Sequence, residues 1–119
     1  MQKTLVFGAS LKPYRYSNLA VNRLVDHNIK TEAFGLKEGK IRGVQIKSNF
    51  DDFQNIHTIT LYIGPARQPD YYGEILKINP KRVIFNPGTE NTEFYKILED
   101  KGIAVAVACT LVLLSTNQY

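Results

Sequence analysis

Short apolar runs, each closed by glycine or proline, alternate along this chain with stretches whose apolar residues fall at helical spacing. Lys3-Thr4-Leu5-Val6-Phe7 is compact and apolar and stops at Gly8, which predicts a buried strand. Ser17 or Asn18 then caps a helix through about His27, with Leu19, Val21, Leu24 and Val25 as its apolar stripe. Residues 29–34 alternate as a strand and break at Gly35, and LKEGKIRGVQI reads as a turn with a short extended piece over 41–46. Asp51-Asp52 opens a short helical turn. IHTITLYIG, rich in β-branched residues, is the next strand and closes at Gly64-Pro65. A helix over 69–78 ends before Pro80. RVIFNPG is a strand running into a turn, and ENTEFYKILEDKG a helix with Phe94, Ile97 and Leu98 inward and Gly102 as its stop. IAVAVA is the last strand, and 110–116 a closing helix.

Strands alternating with helices imply a parallel sheet covered on both faces. The reading is a single α/β domain over 1–119: Rossmann-like, doubly wound, with a mainly parallel five-stranded sheet and helices on both faces. Ligands of such sheets sit beyond the carboxyl ends of the strands. That rule brings five loops to one edge: Gly8-Ala9-Ser10, Gly35-Leu36-Lys37, Gly64-Pro65-Ala66, Asn86-Pro87-Gly88 and Cys109-Thr110.

Composition narrows the setting. The chain has 119 residues, 44% hydrophobic and 22% charged, as expected for one folded domain. No apolar run reaches the roughly 20 residues of a membrane span, and Met1-Gln2-Lys3 leads into a strand without a signal-peptide pattern. The lone Cys109 cannot form an internal disulfide, so a reducing cytoplasm is expected. The net charge of +4 is uneven: residues 1–47 hold nine Lys/Arg against three acids, the remainder six against eight. An anionic partner on the first half, or a plain solvated face, would account for that. A nucleic-acid surface is not expected, because the cations are not interleaved with stacking aromatics.

The first loop combines a glycine exit with the positive end of a helix, the elements of an anion site. Lys12 and Arg15 would neutralise phosphate there, and Gly8 would let the backbone approach a ligand. A dinucleotide site needs spaced glycines and an acid after the second strand. No further glycine follows Gly8 before the helix, and Lys37 follows the second strand, with Glu38 beside it. NAD is disfavoured; NADP or another phosphorylated adenosine is not.

VFGAS, then Pro13, Arg15 and Ser17, then FNPGTEN and VAVACTLVLL, resemble the small stand-alone coenzyme A-binding proteins. Their fold is similar to the coenzyme A-binding domain of the succinyl-CoA synthetase alpha subunit. The resemblance spans nearly the whole chain and is most specific at Gly8-Ala9-Ser10 with Pro13-x-Arg15-x-Ser17. It implies that Gly8, Ala9, Ser10, Arg15 and Ser17 cradle phosphates of coenzyme A or an acyl-CoA. It implies too that Lys37 lies near the adenosine end. Ile63, Gly64 and Pro65, with Asn86, Pro87 and Gly88, would line the adenine and pantetheine path. Many relatives carry an Asn-Pro-type turn after the second strand, where this chain has Gly35-Leu36-Lys37. Many also carry a glutamine-rich turn after the fourth, where this chain has Asn86-Pro87-Gly88.

No catalytic set is legible. His27 reads as a cation at a helix C-terminus, and His57 begins a strand at the edge opposite the loops. Ser10 has no evident base, Asp51-Asp52 and Glu99-Asp100 read as helix-end or solvated clusters, and Cys109 reads as a small buried apolar residue. The expectation is a binding module without chemistry of its own; an NADP-dependent reductase-like protein is the alternative. Leu111 to Leu114 would either cover the sheet or meet a second copy in a homodimer.

Overall fold

The computed structural model describes residues 2–119. Its elements are β1 (Lys3–Phe7), α1 (Tyr16–Asp26), β2 (Lys30–Phe34), β3 (Gly39–Ile41), β4 (Val44–Lys47), β5 (Thr58–Leu61), α2 (Tyr72–Ile78), β6 (Arg82–Phe85), α3 (Thr92–Asp100), β7 (Ala104–Val107) and α4 (Thr110–Ser115). One sheet runs β3-β4-β2-β1-β5-β6-β7, all parallel except the β3–β4 pair. The α/β class, the mainly parallel sheet and the helices on both faces are as expected.

The strand count is not five but seven. Residues 39–47 form a hairpin closed by Arg42-Gly43, both at positive φ (52° and 80°). That geometry suits a two-residue connection, but Arg-Gly is not the sequence that announces one. Ile41 and Ile46 are buried on the sheet, and β4 extends it beside β2 through Ala33↔Ile46 and Phe34↔Lys47.

Alternation along the strands divides the core into two layers. Leu5, Phe7, Ile59, Leu61, Val83 and Phe85 face Ile75 of α2 and Phe94 and Leu98 of α3. Val6, Ala33 and Ile46 face Val21 and Leu24 of α1 and Leu114 of α4. Each fully buried side chain of this size contributes about 1.5–3 kcal/mol. Leu114 thus covers the sheet, while Val112 on the outer side of α4 is exposed.

Two helix starts differ from the reading. α1 begins at Tyr16 with Arg15 as its N-cap and no side-chain cap bond. Ser17 and Asn18 lie buried inside its first turn, where Asn18 Nδ2 donates to Ser10 O at 3.0 Å and fastens the β1 exit to the helix. α2 is preceded by a 3-10 turn over Gln68–Tyr71, and Asn79 ends it in the left-handed conformation (φ 56°) just before Pro80. Asp51 and Asp52 fall in a 3-10 turn, Phe50–Asp52, capped by Asn49.

Chain order fixes where a ligand can enter. β2 and the hairpin build outward on one side of β1, and β5 returns on the other. The crevice at the carboxyl ends of β1 and β5 is therefore the switch point at which open parallel sheets bind ligands.

Candidate functional site

Three strand exits close on one another before any ligand is considered. Gly8, at φ +105°, and Ala9 both donate their amides to Phe34 O, at 2.9 and 2.7 Å. A Cβ on Gly8 would lie 2.9 Å from Ile63 Cγ1 and 3.2 Å from the Tyr62 carbonyl; one on Gly35 would lie 2.6 Å from Ala9 O. Gly8 and Gly35 let the β1, β2 and β5 exits meet, and Gly8 also lines the cleft. The donors left over begin at Ser10. Among the described residues, the amides of Ser10, Tyr16, Ser17 and Asn18 have no protein acceptor, the last three because they open the first turn of α1.

Of these, Ser10, Tyr16 and Ser17 line a cleft of about 540 Å³, within the usual range for small-molecule sites. Gly8, Ala9, Ser10, Lys12, Arg15 and Ser17 line it from the first loop and α1. Lys37 joins from the β2 exit, Ile63 and Gly64 from the β5 exit, and Pro87 and Gly88 from the β6 exit. Pro65 and Asn86 do not line it. Leu36, of the Gly35-Leu36-Lys37 loop, does, and so do Leu11, Tyr16, Arg67, Tyr71 and Thr89, which the sequence reading did not assign to the site. Leu11, Tyr16 and Leu36 are exposed apolar side chains gathered at its mouth. Phe34 and Tyr71, both in the lining, meet edge-on at 5.7 Å, and Phe34 is backed by Phe7 at 4.5 Å and Phe50 at 4.6 Å, centroid to centroid.

One wall is held by buried hydrogen bonds. Asn86, 2% exposed, donates Nδ2 to Thr60 Oγ1 (2.7 Å) and Leu61 O (2.9 Å) and accepts the Thr110 amide (2.8 Å) on Oδ1. The expected ligand contact is a brace joining β5, β6 and the start of α4. Thr89 Oγ1 donates to Asn86 O at 2.7 Å. Gln68, fully buried, donates Nε2 to Ile63 O (2.9 Å) and Thr89 O (2.7 Å), and its Oε1 accepts from Asn91 Nδ2 (2.9 Å). Gln68 hid in the sequence because glutamine before proline reads as a solvated turn.

Charge in the cleft has one sign. Lys12, Arg15, Lys37 and Arg67 line it, and no acidic side chain does. None of the four is ion-paired among the described residues. Glu38, the acid a bare ribose diol would need, instead accepts from Ser48 Oγ at 2.9 Å. Gly88 N–H is taken by Glu90 Oε1 at 2.9 Å. Burial pushes the Tyr62 phenol up to about 12, so it stays neutral. His27 caps α1, with Nδ1 2.8 Å from Arg23 O, and Cys109, half-buried, is the N-cap of α4; neither lines the cleft.

Residues 2–115 match the family model described as a CoA binding domain. The chain belongs to that family. A crystal structure of an uncharacterized protein is 43% identical with a TM-score of 0.95, over 100% of this chain and 98% of that one. A hypothetical protein from Pyrococcus horikoshii OT3 is 26% identical, with a TM-score of 0.85 over 97% of this chain and 82% of its own. A Thermus thermophilus structure at 20% identity (TM-score 0.88; 99% of this chain, 90% of that one) shares the fold. No curated protein matches the sequence. Among the described residues no helix is long and apolar enough to cross a membrane, and no group of His, Cys, Asp and Glu is placed to hold a metal ion.

Proposed function

We propose that the cleft binds coenzyme A or an acyl-CoA in a Rossmann-like nucleotide site, without a catalytic centre of its own. The observation that carries the reading is the row of free amides at the start of α1, opening between unpaired cations in a cleft that no acid lines. Helix N-termini bind phosphate through such amides and their aligned dipoles. Ser10, Tyr16 and Ser17 would hold the diphosphate, with Arg15 supplying a charge-assisted pair. Leu11, Tyr16 and Leu36 offer apolar surface to the base and pantetheine. Coenzyme A is preferred among phosphorylated adenosines because the family match spans 2–115.

The lining holds no His, Cys, Asp or Glu. Lys37 at the β2 exit, with Glu38 turned to Ser48, favours an adenosine carrying an extra phosphate and keeps NADP as the second reading. Calorimetric titration with coenzyme A, ADP and NADPH separates them. Saturable binding of coenzyme A, weaker binding of ADP and poor displacement by NADPH are expected. Tighter binding of NADPH, or no binding of coenzyme A, overturns the proposal.

A further inference from the structure

The two outermost strands of the sheet are finished differently. β3 ends one side as a three-residue strand, with Lys40 exposed on it and Lys37, Glu38 and Arg42 around it. Short strands and charges are the usual guards of an open edge. β7 ends the other side with Ala104-Val105-Ala106-Val107 and has no such guard. No charged side chain occurs from Gly102 to Tyr119, in a chain that is 22% charged. Ala104 and Val107, on opposite faces of β7, are both exposed, Val107 at 58%, so neither α3 nor α4 closes over the edge.

The main chain of β7 has a definite parity. Ala104 N–H donates to Lys81 O at 3.0 Å and Ala108 N–H to Phe85 O at 3.2 Å. The main-chain groups of residues 104, 106 and 108 therefore face β6, and those of the residues between them face away. Among the described residues the N–H and C=O of Val105 and Val107 have no partner. The Cys109 amide, on extended backbone, and the Ile103 carbonyl continue the free row at its two ends.

That row is its own complement. About a twofold axis at Ala106, Val105 faces Val107 of a second copy, and the two exchange both of their main-chain bonds. Cys109 N–H then meets Ile103 O of the second copy, and the reverse. Ala106 faces Ala106 and Ala104 faces Ala108, small against small. No charge meets a like charge in the paired strands, although each copy carries a net +4.

We propose that the chain forms a twofold homodimer by antiparallel pairing of β7 with β7, joining two seven-stranded sheets into one of fourteen. A peptide strand from another protein would use the same main-chain groups. Nothing on β7 would select its sequence, whereas a second copy satisfies every free group in one register. The inference stands apart from the coenzyme reading.

Sedimentation equilibrium of the wild type should show a monomer–dimer equilibrium. Val107→Lys puts a charge into the apolar pairing and should weaken association about tenfold or more. Circular dichroism and urea unfolding of the dilute variant should match the wild-type monomer, which separates lost pairing from lost folding. Cross-linking reads the register. In a Cys109→Ser background, Ala106→Cys should oxidise to a covalent dimer, because opposed residues that share no main-chain bond stand about 4.5 Å apart at Cα, within reach of a disulfide. Ala104→Cys alone should not cross-link, while Ala104→Cys combined with Ala108→Cys should. A wild type that stays monomeric at every concentration overturns the proposal. So does a dimer that Val107→Lys leaves intact, or one that cross-links through Ala104→Cys and not through Ala106→Cys.

Discussion

The two edges of the sheet treat their positive charges in opposite ways. At the amino-terminal edge Lys3 Nζ meets Glu32 Oε2 at 2.7 Å and Gln54 O at 2.9 Å. Arg82 donates Nε to Thr58 Oγ1 at 2.9 Å and lays its guanidinium 4.6 Å over the Tyr119 ring. Tyr119 Oη in turn reaches Thr4 Oγ1. At the carboxyl edge Lys12, Arg15, Lys37 and Arg67 surround a cleft without acids and without ion pairs. The first set closes the structure; the second is left without ion pairs around the cleft. A cation held by its own protein says little about ligands, whereas four without a carboxylate partner around one cleft, Arg15 resting only near the exposed Tyr14 ring, say more.

The largest test concerns the frame behind the unpaired charges. Gln68→Leu removes the donors that satisfy Ile63 O and Thr89 O and takes from Asn91 Nδ2 one of its two acceptors, the other being Tyr72 Oη. Unsatisfied buried groups cost about 1–3 kcal/mol each, so unfolding in urea should show a loss of roughly 2–4 kcal/mol. A loss below about 1 kcal/mol would mean that water replaces those bonds and the wall is soft.

A paired comparison addresses the contrast itself. Arg15→Ala should weaken coenzyme A binding by about 1.5–3 kcal/mol, the scale of a hydrogen bond to a charged group. Its effect on stability should stay within about 0.5 kcal/mol, since it is an exposed side chain. Arg82→Ala should do the reverse, costing about 1 kcal/mol of stability with the lost Thr58 bond and ring contact and leaving affinity unchanged. Calorimetry and urea unfolding on both variants decide it. Matching signatures for the two would erase the distinction between the edges.

The smallest effect is a pH dependence at the closed edge. His57 is held below the ordinary histidine value, first by burial and then by the Arg82 and Lys81 charges. With a depressed folded value, the unfolded chain binds the proton more tightly. Stability is therefore full above the unfolded value near 6.5 and declines as pH falls from there to the folded value. A thermal melt series across that range should show a shallow decline that His57→Gln removes. A decline unchanged in the variant would assign it to the carboxylates.

What the sequence disclosed, and what it hid, follows from the range of the interactions. The apolar runs at 3–7, 56–63 and 82–85 announced β1, β5 and β6 because β-branched and aromatic residues there pack on both faces. β3 and β4 were lost as separate strands because each is short and their turn uses Arg42 at positive φ. The cleft was legible where function sits beside a strand exit, as at Gly8 to Ser17 and Lys37. It was illegible where a residue acts through a distant partner: Gln68 reaches Thr89, 21 positions on, and Asn86 reaches Thr60, 26 positions back. Arg67 was missed because an arginine in a Gly-Pro-rich turn looks merely solvated, and only the fold shows that it lines the same cleft as Arg15.

The sealed carboxamide of Gln68 has a use beyond its bracing. Both of its side-chain protons are occupied, on Ile63 O and Thr89 O, in a group with no solvent exposure. Their replacement by deuterium requires the wall to open, so a single NMR signal pair can time the breathing of the cleft.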